Sequence, residues 1–255
     1  MGKIDAYRVA VRAHLHDAGD LEAYLRAESR LPGPRSNLEL LAAAAEELDA
    51  DWCLRWANAD VGAAPSDVFL ISIGLVGLGR MLAVGDDRGL TILRRRAGDG
   101  EWRVREAVAI GLQRLGDADS RRMAGIAADW AGGSALEQRA AMAAVCEPRL
   151  LRDPSAALGA LQILDRATRS LMARSDRRDP DLRVLRQALG YGWSVAVAAL
   201  PAEGWPRFEA WCAVDDPDIR WIVAENLRKN RLVKLDPARV DRLRRGLGSS
   251  RGGPL

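Results

Sequence analysis

The chain has 255 residues, 48% of them hydrophobic and 29% charged, enough to bury a substantial core and ordinary for a globular protein. Its net charge of +3 makes no case for a nucleic-acid protein by itself, and Cys53, Cys146 and Cys212, far apart and without a C-x-x-C spacing, point away from a disulfide framework or a thiolate metal site. The cysteines read instead as small buried residues of a reducing cytoplasm, the expected location. The opening residues hold no uninterrupted apolar stretch, so no secretory leader is expected. The longest apolar run, Val68 to Gly79, is too short to span a bilayer, and no membrane partner is expected.

Ala and Leu dominate the apolar set and head the helix-propensity order, while aromatic-rich alternating runs are missing, so the chain is expected to be all-α. The spacing predicts helices over 4–16 and 20–29, an N-terminal pair within 1–30, closed off by Leu31-Pro-Gly-Pro-Arg-Ser36. Helices then follow over 38–48, 51–59, 66–83 and 87–97. Inside 66–83, Gly74, Gly77 and Gly79 allow close helix contact; they do not form a G-x-G-x-x-G fingerprint, because Leu82 occupies its last place. From Trp102 to Leu115, Val104, Val108, Leu112 and Leu115 fall on one stripe. Further helices are expected at 118–130, 135–146, 155–174, 181–199 and 204–213. Another opens at Pro217, with Ile219, Ile222, Val223 and Leu227 on its apolar side, and the last covers 237–246. Residues 247–255 read as a disordered tail.

Asp-Pro occurs four times, at 153–154, 179–180, 216–217 and 236–237. An Asp at the N-cap accepts from first-turn N–H groups, and a Pro at the next position has no N–H to orphan. One device used repeatedly predicts similar helix starts.

A repeat runs through these helices. Val104-Arg105 with Ala109 and Leu112 aligns with Ile219-Arg220 with Ala224 and Leu227. Arg139 with Ala143 follows the first copy by 34 residues, and Leu185-Arg186 precedes the last by 34. Trp130 and Trp211 each stand nine residues before a repeat Arg. This pattern resembles HEAT repeats: a first helix, a turn containing Asp, and a second helix opening with a Val/Ile-Arg pair. The resemblance is good over 86–147 and 203–246, passable over 154–200 and weak before residue 65. It implies a right-handed α-α superhelix, a HEAT-like solenoid of about five to six helical pairs over 37–246. Second helices would line a concave face, where such proteins usually bind partners.

The resemblance also implies a structural ladder, with Arg105, Arg139, Arg186 and Arg220 pairing with turn acids; Glu101, Asp215 and Asp216 stand where partners are needed. Trp102 and Trp221 flank repeat Arg positions on second helices, which makes them candidate ligand contacts on the concave side. Charge divides along the chain: residues 1–93 carry a net of −5 and residues 94–255 a net of +8. Arg228, Lys229, Arg231 and Lys234, with Arg242, Arg244 and Arg245 behind them, form the basic end and are candidate contacts for an anionic ligand. Arg94-Arg95-Arg96 closes a helix, where cations oppose the macrodipole. His14 and His16, two apart, point to different sides of a helix and make a poor metal pair. No catalytic, metal or cofactor motif stands out: there is no H-E-x-x-H, G-x-S-x-G or Walker loop, and Asp86-Asp87 and Asp215-Asp216 read as helix-start signals. No catalytic residue, metal or cofactor is therefore expected.

The expectation is a non-enzymatic scaffold holding a protein or peptide partner. The alternative is nucleic acid. The stretch from Phe208 through Trp211 to Arg220, with Leu227-Arg228 and Leu235 to Val240, is similar to the bacterial HEAT-like DNA glycosylases that remove alkylated bases. That family uses an acid with aromatic and Arg neighbours on the concave face, and the sequence alone does not locate such an acid.

Overall fold

The computed structural model describes residues 2–62 and 64–249; it is 78% helix, with no strand among the described residues. The helices are α1 (Lys3–His14), α2 (Ala18–Glu28), α3 (Leu38–Glu47), α4 (Ala50–Asn58), α5 (Asp67–Ala83), α6 (Leu90–Ala97), α7 (Trp102–Ala118), α8 (Ser120–Trp130), α9 (Ala135–Val145), α10 (Pro154–Ala173), α11 (Pro180–Ala199), α12 (Pro201–Cys212), α13 (Pro217–Leu227), α14 (Asn230–Leu235) and α15 (Pro237–Ser249). Short 3₁₀ turns at Asp87–Gly89 and Leu150–Arg152 precede α6 and α10. No helix among the described residues is long and apolar enough to cross a membrane.

Local chemistry accounts for the boundaries. The carboxylates of Asp153, Asp179 and Asp216 accept from N–H groups at the starts of α10, α11 and α13, each with Pro next in line, and Asp236 accepts from Arg239 N–H at the start of α15. Asp86 accepts from Arg88 N–H and Asp216 from Asp218 and Ile219 N–H, so both acid pairs contain a helix-start residue. Two elements escaped the periodicity: the turn at Leu150–Arg152 and the six-residue α14, too short for a 3.6-residue stripe to emerge. Of the expected tail 247–255, residues 247–249 belong to α15, and residues 250–255 lie outside the described residues.

The chain divides into two compact units, Met1–Asp119 and Ser120–Leu255, rather than at the Pro-rich break 31–36. In the first unit α1, α3, α5 and α7 pack in succession, with α2, α4 and α6 against them, and α1 rests directly on α3. The hub is α5, buried from Val68 through Gly79 and again at Met81 and Leu82. A helix enclosed by neighbours on every side is apolar all round, which is why its sequence shows a run and no stripe. In the second unit α9, α11 and α13 form one succession and α8, α10 and α12 the other, closed by α14 on α11 and α15 on α13. Each core is made of Leu, Val, Ile and Ala, with Trp130, Trp193 and Phe208 as its largest enclosed side chains in the second unit.

Alternate helices are also stitched end to side by arginine. Arg80 of α5 donates to the carbonyls of Ala45 and Leu48 at the end of α3, and Arg96 of α6 to those of Ala57 and Ala59 at the end of α4. Arg166 of α10 reaches Ala128 O of α8 at 3.1 Å, and Arg244 of α15 reaches Leu227 O of α13 at 2.7 Å. The last carbonyls of a helix have no intrahelical partner and carry the negative end of its dipole. A guanidinium from the next helix of the same succession satisfies both needs. Arg95 and Arg96 thus do more than oppose the dipole of their own helix, since Arg95 also binds the Asn58 side chain at 2.8 Å.

Candidate functional site: a basic groove on the second unit

The C-terminal end of α11, the 3₁₀ turn before α10 and the short α14 enclose a groove of about 610 Å³. Leu151, Val195, Ala198 and Ala199 give it an apolar floor, and Lys229, Arg231 and Lys234 line one side. Sequence explains the construction. The 20-residue α11 packs against both α13 and α14, and Leu232 of α14 is fully enclosed. Lys229, just before α14, and Arg231 and Lys234 within it line the groove.

Each cation is held differently. Arg231 donates from Nη2 to the Tyr191 hydroxyl at 2.6 Å, and its guanidinium lies 4.6 Å from the ring centroid. That geometry combines a hydrogen bond with a cation–π contact and fixes the guanidinium in place. Lys229 Nζ stands 5.9 Å from the same centroid and 3.9 Å from Glu225 Oε2. Lys234 is exposed and has no ion pair among the described residues. No carboxylate lines the groove. Cys146 is buried, and burial pushes its thiol up to about 12 against the opposing pull of Arg231. It therefore supplies no thiolate nucleophile near neutral pH.

Of the residues singled out from the sequence, Lys229, Arg231 and Lys234 come together here. Arg228 is adjacent but turned to Glu225, at 2.6 Å, and does not line the groove. Trp221 is half-buried: its ring packs over Gly190 of α11, where a Cβ would stand 2.9 Å from the ring, and the Arg186 guanidinium lies 4.6 Å from the centroid. It is a packing element between α11 and α13. Trp102 is half exposed on α7 of the first unit, with the Arg103 guanidinium 4.4 Å from its ring. Tyr191, Val195 and Leu151 had no distinguishing sequence signal, since Tyr191 sits among small residues in an apolar run and Leu151 in a loop.

The repeat arginines play unequal parts. Arg186 makes a 2.6 Å ion pair to Asp218 of the next odd-numbered helix, so its acid is Asp218; Asp216 caps α13 and takes Arg177 at 2.9 Å. Arg220 donates to Leu247 O at 2.6 Å and stands 3.4 Å from the exposed Asp215. Arg105 binds the turn carbonyls of Asp99 and Gly100, at 2.5 and 3.1 Å, while Glu101 caps α7. Arg139 is half-buried at the start of α9. An acid with aromatic and Arg neighbours does exist, at Asp165 on α10. Both its oxygens are engaged, by Trp211 Nε1 at 2.8 Å and Arg207 Nη1 at 3.0 Å, and it belongs to the even-numbered helices, whereas the repeat arginines open odd-numbered ones.

A second cavity, of about 660 Å³, lies between α8 and α10; Arg121 and Arg166 line it together with the carboxylate of Asp153, and Arg166 donates to Ala128 O. Among the described residues, no group of three His, Cys, Asp or Glu side chains is placed to hold a metal ion. No family model, curated protein or solved structure matches the chain.

Proposed function

We propose that this chain is a non-enzymatic interaction module of HEAT-like repeats that holds a protein or peptide partner. In this reading the two successions of helices in each unit are stretches of a right-handed α-α superhelix. The observation that carries the binding reading is the groove on α11 and α14, where three cations converge over an apolar floor with no lining carboxylate. A concavity lined by one sign of charge focuses the field and draws in an opposite charge. The nucleic-acid alternative draws on the same cations, but Trp221 is packed against α11 and offers less ring for base stacking.

The test is a photo-crosslinking residue at Ala199, exposed at the groove edge. Irradiation in cells is expected to join the chain to a polypeptide. Adducts to nucleic acid alone favour the alternative, and no macromolecular adduct removes both readings.

A further inference from the structure

The chemistry of the groove narrows the partner further, on the premise that the chain is an interaction module. We infer that it receives a short acidic peptide segment carrying one aliphatic side chain between carboxylates. The argument is charge and surface complementarity. Lys234 is the uncommitted cation, Arg231 is held by Tyr191, and Lys229 is only partly neutralised by Glu225 at 3.9 Å. A carboxylate arriving at Arg231 meets a guanidinium already oriented by the Tyr191 hydroxyl and ring, which lowers the ordering entropy that opposes binding. Beneath these heads the lining is carbon, from half-buried Ala198 and exposed Ala199 beside the largely buried Leu151 and Val195, and a phosphate backbone has nothing to bury there. A leucine-sized side chain does. The neighbouring aromatic ring, Tyr191, has the Arg231 guanidinium over it at 4.6 Å, which disfavours its use as a base-stacking platform. Three lining cations and no lining carboxylate set the sign of the ligand, and the floor demands an apolar anchor.

The experiment uses the full chain and fluorescein-labelled heptapeptides: one with a central leucine flanked on each side by three Asp or Glu, a second with the leucine replaced by serine, and a single-stranded oligonucleotide of similar charge. Fluorescence anisotropy is expected to show the leucine peptide binding best, with affinity falling as salt rises. Replacing its leucine by serine should weaken binding roughly tenfold. Lys229→Glu, Arg231→Glu and Lys234→Glu together should weaken it by at least roughly tenfold, which is what several partly exposed ion pairs supply. Ala198→Trp, which fills the floor and leaves the charges alone, should abolish the preference for leucine over serine. Thermal unfolding of each variant verifies that it is folded. Equal affinity for the two peptides and the oligonucleotide overturns the inference. So does peptide binding that neither variant alters. If no peptide binds while the Ala199 crosslinker still captures a polypeptide, the acidic-segment inference fails and the interaction reading stands. If neither occurs, both fail.

Discussion

Gly79 of α5 and Gly111 of α7 bring the two helix backbones into direct contact: a Cβ on Gly79 would overlap the Gly111 carbonyl, and one on Gly111 would stand 2.6 Å from Leu75 O. Helix propensity alone favours alanine at such positions by about 1 kcal/mol. Here the obstructing atoms are backbone, which cannot rotate aside. Gly79→Ala is therefore expected to destabilise the chain by about 1–3 kcal/mol. Gly125 of α8 has nothing within 4 Å of its would-be Cβ, so Gly125→Ala should stabilise by about 0.5–1 kcal/mol. Urea unfolding of both variants checks the opposite signs.

Arg96 is nearly enclosed, and it binds the carbonyls of Ala57 and Ala59 together with Asp99, the last at 2.8 Å. Arg96→Met would leave the end of α4 without its donors and Asp99 without its cation. The expected loss is about 2–4 kcal/mol. Arg96→Lys keeps the charge but has no planar fork to serve two carbonyls, and should fall between wild type and Met on the same unfolding curve.

Asn226 is wholly buried and uses both ends of its amide: Oδ1 accepts from Ser194 N–H at 2.7 Å, and Nδ2 donates to Leu189 O and Ile222 O, each at 2.8 Å. It locks α13 to α11 through backbone groups. Asn226→Ala or Asn226→Leu removes the bonds to the Ser194 N–H and the Leu189 carbonyl that hold α13 to α11 and should cost about 1–3 kcal/mol. Hydrogen exchange should show the loss of protection concentrated at the Ser194 amide.

Glu47 of α3 receives Arg12 at 2.5 and 2.9 Å and Arg8 at 2.5 Å, both from α1. The hydrogen bonds from Arg12 first, then those from Arg8, hold its carboxyl below the usual glutamate value against the opposing effect of burial. A depressed folded-state value means that Glu47 stabilises the fold at pH above the ordinary range. That contribution fades as pH falls through the lowered value. Glu47→Gln should lower the melting temperature at pH 7, and its curve should meet that of wild type in acid. Parallel curves at all pH values would contradict the assignment.

Burial pushes the thiols of Cys53 up to about 11 and of Cys146 and Cys212 up to about 12. At pH 8 all three should react with a disulfide reagent far more slowly than a free thiol, and at ordinary rates once the chain is unfolded. Fast labelling of the native chain would show that the environment of the reacting cysteine is open.

Helix positions were legible in the residues because their causes are local. The Asp-Pro pairs cap helices at all four sites, and the expected helix at 135–146 lies within a residue of α9. The candidate site was legible in part. Lys229, Arg231 and Lys234 could be chosen because they cluster in sequence; Arg228 clusters with them equally but turns to Glu225. Leu151 and Val195 could not be found this way, since a groove floor is assembled from loops and helix ends far apart in the chain.

The same division holds for the arginines and tryptophans. An all-α chain with Pro- and Asp-marked helix starts follows from propensity and capping, interactions that span only a few residues. Which arginine meets which partner was decided by tertiary packing alone. Arg96 reaches carbonyls 37 and 39 residues away, and Arg186 pairs with Asp218 while Asp216 caps α13 through one oxygen and takes Arg177 with the other. The half-buried ring of Trp221 lies over Gly190 of α11, a placement that its position in the repeat does not announce. The basic end became a groove only when α14 folded across α11. Charge can be counted along a sequence, but concavity exists only between elements.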